Sequence, residues 1–302
     1  MPEWIIEDGI GETRAALVEN GEIIEARVRR DGTIAPGTVL DATLKSIAPR
    51  VVVEAEGQEF LLPRGASGIS EGAAIRIEIV REQSGSEPWK RPLAKQSDNA
   101  VRPAPPLAEG TPGTIDAWDD LIEEARSGII AFDGGELRTE STAAMTVIDV
   151  DGWLVPDKLA QMAAWSSARA IRRLDIGGSI AIDFPTIEGK AERQQIGQII
   201  DDYLPKPFER TAMNGFGLVQ IVRPRTRASL IELAQDRAAF EARALMRRAE
   251  REVGAVTLTA HPAVIAAIRP EWRDQLARKV GGTVTLKADP ALAMSGAYAQ
   301  KS

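Results

Sequence analysis

The chain has 302 residues, 44% hydrophobic and 27% charged, with a formal net charge of −7 and no cysteine. Such a composition can build a real core in two or three domains and excludes disulfide frameworks and thiolate zinc sites, while the acidic balance confines any nucleic-acid site to a local basic patch. No run nears the roughly 18 apolar residues that a membrane helix needs, and Met1 to Glu7 lacks the basic start of a signal peptide, so a soluble cytoplasmic protein is expected.

Residues 12–28 read as two strands joined at Asn20-Gly21, the strongest short hairpin signal. Short strands follow at Thr38 to Ile47, Arg50 to Ala55, Gln58 to Leu62 and Ala74 to Val80, a spacing that suggests a small β-barrel. Barrels that bind single strands use stacking aromatics and a basic groove; here Phe60 is the aromatic, and Lys45, Arg50, Arg64 and Arg76 are the cations. A structural module and an RNA-contacting one remain equally open, with Lys45 and Arg50 the candidate contacts. Residues 96–112 are rich in Pro, Ala and polar side chains, the composition of a flexible linker. Ile115, Trp118, Leu121 and Ile122 then recur at helical spacing behind Thr114, a candidate cap, and a hairpin about Gly134-Gly135 leads into the next strand.

That strand is Thr146 to Gly152, and it has an echo in Ser179 to Pro185. Each is a β-branched, aliphatic run that breaks off at an aspartate, Asp149 or Asp183. Between them, Pro156 to about Leu174 shows a helical pattern long enough for the crossover of a βαβ unit. A right-handed crossover makes the strands parallel and neighbouring or nearly so, about 4.8 Å apart if adjacent, and the two carboxylates would then face one another at one edge of the sheet. A divalent cation between them would relieve their repulsion, and Mg²⁺ usually takes only one or two protein carboxylates, leaving positions for water and phosphate oxygens. An aspartate at a strand end also serves as a helix cap or turn closer, and spacing alone leaves both readings open.

After Asp183, residues 188–204 form a helix whose Lys190, Arg193 and Asp201 read as a solvated face more than as substrate contacts. The strand Phe216 to Val222 opens into Arg223, Arg225 and Arg227 at the start of a long helix to about Glu252. Guanidinium forks suit phosphate, and a helix N-terminus adds free N–H groups, so these three arginines form a candidate phosphate-backbone patch; pairing with Glu232, Asp236 or the C-terminal end of another element is the equally open role. Along that helix, Arg243, Arg247, Arg248 and Arg251 alternate with Glu241, Glu250 and Glu252, the pattern of an exposed surface with i,i+4 pairs. The end of the chain reads as strand 254–260, a short helix from His261-Pro262, helix 270–279, strand 281–287 and a loose tail, with His261 structural.

Residues 163–184, followed by 216–230, resemble the catalytic region of the ribonuclease E/G family in order, spacing and wording. The opening 12–28 and the close, with His261-Pro262 and Ala288-Asp289-Pro290, are similar to that family as well, and Ser84 to Lys95 looks like its exit from an S1 domain. The resemblance implies an α/β (α+β) multidomain fold. Its parts would be an N-terminal hairpin of the ribonuclease-H-like core (1–34), an inserted S1, OB-type barrel (35–83), a Pro-rich linker (84–113), a DNase-I-like catalytic core (114–253) and a small C-terminal α/β segment (254–302). It implies a Mg²⁺-dependent endoribonuclease, with Mn²⁺ as a substitute ion, acting on single-stranded RNA to leave 5′-phosphate and 3′-hydroxyl ends. Asp149 and Asp183 would be the catalytic ligands, with Asp151 a third candidate for the metal.

The chain departs from the family pattern at several points. Asp151 stands where the family has Asn, Thr186 replaces an acidic residue, and some thirty residues after the barrel are too few for a 5′-end sensor. The zinc-sharing cysteine pair has no counterpart, so a monomer or a dimer not linked by zinc is expected. The alternative is an RNA-binding or ribosome-associated protein that keeps the fold and has lost turnover.

Overall fold

The computed structural model describes residues 1–83 and 90–301. Its two units are Met1–Asp31 with Ala108–Ile129 and Leu230–Ser302, and Gly32–Leu107 with Ile130–Ser229.

The first unit opens with the antiparallel strands β1 (Glu3–Gly9), β2 (Glu12–Glu19) and β3 (Glu22–Arg30). Asn20 and Gly21 both take positive φ (52° and 83°), as the Asn-Gly hairpin signal requires. The second unit then begins with β4 (Val39–Ser46), β5 (Val52–Ala55), β6 (Gln58–Leu61), β7 (Ala74–Arg81) and β8 (Leu93–Gln96), which close into a barrel in the order β4-β5-β6-β8-β7. Leu44, Val53, Phe60, Ile77 and Ile79 fill it. The last barrel strand comes from within the 84–113 stretch that the resemblance assigns to a linker: Ala94 pairs with Ile79 and is buried. Four residues beside prolines carry too little alternation to announce a strand. Residues 84–89 of the S1-exit resemblance lie outside the described residues.

The remaining linker stretch is also held. Arg102 bridges to Val39, and β9 (Thr111–Pro112) pairs parallel with β1. Then α1 (Trp118–Ser127) buries Trp118, Leu121, Ile122 and Ala125; it starts later than the periodicity predicts and is not capped by Thr114.

In the second unit, β10 (Ile129–Phe132), β11 (Gly135–Ser141), β12 (Thr146–Gly152), α2 (Pro156–Arg173), β13 (Gly178–Asp183), α3 (Lys190–Tyr203), β14 (Glu209–Arg210) and β15 (Leu218–Arg223) follow. Their sheet runs β10-β11-β12-β13-β15-β14, with β12 and β13 parallel across the α2 crossover. Ile148, Val150, Ile180, Ile182, Val219 and Ile221 alternate onto a buried face. The helix α2 packs on β11, β12 and α3.

The chain returns to the first unit with α4 (Leu230–Gln235), α5 (Arg237–Ala249), β16 (Val256–Ala260), α6 (Pro262–Ala267), α7 (Pro270–Val280), β17 (Val284–Ala288) and β18 (Tyr298–Lys301). The single long helix predicted to Glu252 is two helices, divided at Asp236, whose carboxylate accepts from Ala239 N. His261 is a cap, its Nδ1 accepting from Ala263 N at 3.2 Å. The tail is a strand pairing with β16.

The charged face of α5 is the largest departure from the sequence pattern. Glu241, Arg243 and Arg247 are 3%, 7% and 2% exposed. Arg126 makes a two-pronged bond to Glu241, at 2.6 and 2.9 Å. Arg247 donates to Asp119 (2.6 Å) and to the Ile115 carbonyl (2.7 Å), while Arg243 lies over the Trp272 ring. Alternating charges look solvated along one helix, but these find their counterparts on other elements.

Candidate active site

Asp149 and Asp183 are direct register partners on the parallel pair β12 and β13. Adjacent strands place such partners about 4.8 Å apart with side chains on one face. Their neighbours Ile148 and Ile182 are fully buried on the other face, which forces both carboxylates outward to the exposed side. Among the described residues neither has an ion-pair or hydrogen-bond partner. Two unpartnered acids at this spacing form a concentrated negative site, suited to a cation that keeps water and phosphate oxygens in its remaining positions.

Local backbone holds the pair in register. Gly217 has φ +95°, and a Cβ there would run into the Phe184 carbonyl, so the start of β15 closes tightly on the residue after Asp183. Phe184 N donates to the Gly217 carbonyl (3.2 Å), and Leu218 is the register partner of Asp183. Arg193 secures the following loop, its Nη1 donating to the Ile187 and Glu188 carbonyls, both at 2.7 Å. Asp201 is joined by both prongs of Arg210 (2.9 and 2.6 Å), which holds its carboxyl below the usual carboxylate range. The residues read as a solvated face on α3 thus include Arg193, which fixes the loop after Asp183, and Asp201, which ties α3 to β14.

Asp151 lies two residues beyond Asp149 and pairs with Arg138, Oδ2 to Nε 3.4 Å. Among the described residues no group of three or more His, Cys, Asp or Glu side chains can hold a metal ion. Arg138 itself is the cross-strand partner of Asp149 and is more than half exposed. Counting back from the Thr142–Met145 turn would have located it in the sequence, because Ser141 pairs with Thr146 and the register is unbroken from there.

The three arginines, Arg223 ending β15 and Arg225 and Arg227 just after it, stand at the other end of the sheet. Gly178 pairs with Arg223 where Asp183 pairs with Leu218, so five strand residues, about 17 Å, separate the two groups. Arg223 Nη1 donates to the Ile176 carbonyl (3.1 Å) and lies 3.6 Å from Asp175; Arg227 Nη1 donates to Asp175 at 3.0 Å. Asp175 has positive φ (52°), and Arg225 backs against Gly177. In the barrel, Lys45 bonds Glu54 at 2.9 Å, which raises the lysine pKa, and Arg50 is exposed. Phe60 points inward and is 0% exposed.

Residues 118–226 match the family model described as the ribonuclease E/G family. Ribonuclease G of Haemophilus influenzae is 34% identical over 109 residues, and Ribonuclease G of Escherichia coli K12 is 31% identical over 109 residues. Each match covers 32% of this chain and 22% of the relative, so the chain spans about a fifth of the length of the curated relatives it matches.

Proposed function

We propose, from the match of residues 118–226 to the ribonuclease E/G family model, that this chain belongs to that family and is an endoribonuclease whose divalent-metal site is built from Asp149 and Asp183. The observation that carries the reading is the exposed, unpartnered register pair on β12 and β13. The donor set fits Mg²⁺, or Mn²⁺ in its place, because two carboxylates leave most of an octahedron for water and substrate. Bound there, the ion would supply a water of lowered pKa and offset charge on the scissile phosphate.

The substrate in this reading is single-stranded RNA, whose unstacked backbone can bend over an open sheet face, and the products carry 5′ phosphate and 3′ hydroxyl ends. Asp149 and Asp183 orient the ion. Arg138, beside Asp149, would meet a phosphate oxygen in exchange for its pairs with Glu136 and Asp151. Thr186, exposed after Asp183, adds no carboxylate.

The barrel order, with β6 and β8 its parallel pair, supports an OB-type, S1-like module. Its exposed face offers Arg50 and the paired Lys45 as weak backbone contacts. Arg223, Arg225 and Arg227 would meet RNA only on a strand running the length of the sheet. No described helix is long and apolar enough to cross a membrane, and we place the reaction in the cytoplasm as part of the same proposal.

A fluorescent A/U-rich oligoribonucleotide tests it, incubated with Mg²⁺ and with EDTA. Cleavage is expected in Mg²⁺ alone, falling at least a hundredfold in Asp149→Asn and in Asp183→Asn. Cleavage that persists in either variant or in EDTA overturns the metal reading. Binding without cleavage by the wild type favours the non-catalytic alternative.

A further inference from the structure

Two aromatic side chains stand almost wholly in solvent at the end of the sheet that carries the aspartates. Trp153 is 81% exposed and Phe216 is 84% exposed. Trp153 follows β12 directly after Gly152, four residues beyond Asp149, and Phe216 precedes β15 two residues before Leu218, the partner of Asp183. They therefore flank the carboxylate pair on the two strands next to β13. The other aromatic residues of this unit include Phe60, Phe184 and Phe208, all buried, and Tyr203, half exposed.

Both rings are presented from fixed backbone. Trp153 N donates to the Gly134 carbonyl at 3.1 Å. Phe216 N donates to Asn214 Oδ1 at 2.9 Å, and the same oxygen accepts from Leu218 N at 3.1 Å. Gly217, which leaves no room for a Cβ against Phe184, brings the Phe216 turn close to the Asp183 strand. Large rings on pinned turns lose little conformational freedom on stacking, and every nucleobase has a π-face to offer them. Among the described residues of the barrel strands the aromatic is Phe60, which faces the core.

We infer that Trp153 and Phe216 are nucleobase-stacking subsites on either side of the scissile phosphate, so that base recognition lies on the catalytic sheet. This rests on the reading of Asp149 and Asp183 as the phosphodiester site. It adds that the preferred substrate carries unpaired bases on both flanks of the cleaved bond, with stacking strength setting the preference and no hydrogen-bond code.

The test is fluorescence anisotropy in Mg²⁺ with two labelled 2′-O-methyl decanucleotides, one complete and one abasic at its two central positions. Trp153→Ala and Phe216→Ala are each expected to raise Kd for the complete strand roughly tenfold and to leave Kd for the abasic strand unchanged. Trp153→Phe is expected to retain most of the affinity, whereas Phe216→Leu, still apolar, is expected to lose it. Unchanged Kd for the complete strand, equal weakening for both strands, or loss of self-association in place of RNA affinity overturns the inference, the last assigning the rings to a second copy of the chain. Cleavage of the unmodified decamer separates the two ideas. Wild-type cleavage lost in Asp149→Asn, with the aromatic variants binding normally, sinks the stacking subsites alone; base-dependent weakening without any cleavage sinks the metal reading alone.

Discussion

Arg227→Ala separates a structural arginine from one that holds RNA. In the structure its Nη1 reaches Asp175 Oδ2 at 3.0 Å, and both side chains are less than a fifth exposed. A hydrogen bond to a charged group contributes about 1.5–3 kcal/mol. Asp175 keeps Arg223 at 3.6 Å and retains some solvent, so the lower end applies, about 1.5 kcal/mol. For a unit of this size that is a Tm lower by about 4 °C. RNA affinity should barely change, because this guanidinium is committed to Asp175 at the end of the sheet opposite the aspartates, where the Arg223 end of β15 stands about 17 Å along the strands from Asp183, beyond the Debye length of about 10 Å at 0.1 M salt. The assay is thermal unfolding alongside a salt titration of oligonucleotide binding. The expected result is a lower Tm and an unchanged slope of log K against log salt. A slope flatter by about 0.7, the share of one phosphate contact on a single strand, together with an unchanged Tm, would refute the reasoning and return this arginine to the substrate.

Gly217→Ala forces a side chain onto φ +95° and into the Phe184 carbonyl. Denaturant unfolding should show a loss of about 2–3 kcal/mol, and cleavage should fall further than in Arg227→Ala, since the strand bearing Asp183 must shift; equal rates in the two variants would contradict this. Arg247→Ala removes a 2% exposed guanidinium bonded to Asp119 and to the Ile115 carbonyl. Asp119 is half exposed and can turn to water, so about 3 kcal/mol is expected from denaturant midpoints, the low end for breaking a buried pair, and a change under about 1 kcal/mol would show the network to be a surface one. Arg210 lowers the Asp201 pKa from 3.8 through its hydrogen bonds, against a smaller opposing effect of burial. A depressed folded-state value contributes stability above the unfolded pKa and loses it as pH falls through the folded one. Arg210→Ala should therefore cost about 0.5–1 kcal/mol near neutrality, with the two stability curves merging below pH 3.8; a gap that widens in acid would contradict this.

Much of the candidate site was legible in the chain itself. Aliphatic runs that stop at Asp149 and Asp183, with a helix-length spacer between them, specify a parallel pair, because a two-residue period and a right-handed crossover leave little choice of register or side. The Asn20-Gly21 hairpin and the cap at His261 are equally local, since each depends on side chains within a few residues of the backbone they shape.

Charge partners and ring exposure were settled only by tertiary structure. Arg223 and Arg227 meet Asp175, some fifty residues earlier; Arg138 meets Asp151 across a strand pair; and Arg247 finds Asp119 from more than a hundred residues away. Phe60, inside β6, turns inward, while Trp153 and Phe216, in turns beside glycines, turn out. Periodicity fixes which side of an element a residue occupies, but a long cation or a ring is satisfied by whatever the fold carries to that side. That is decided by contacts distant in the chain, which a local pattern does not encode.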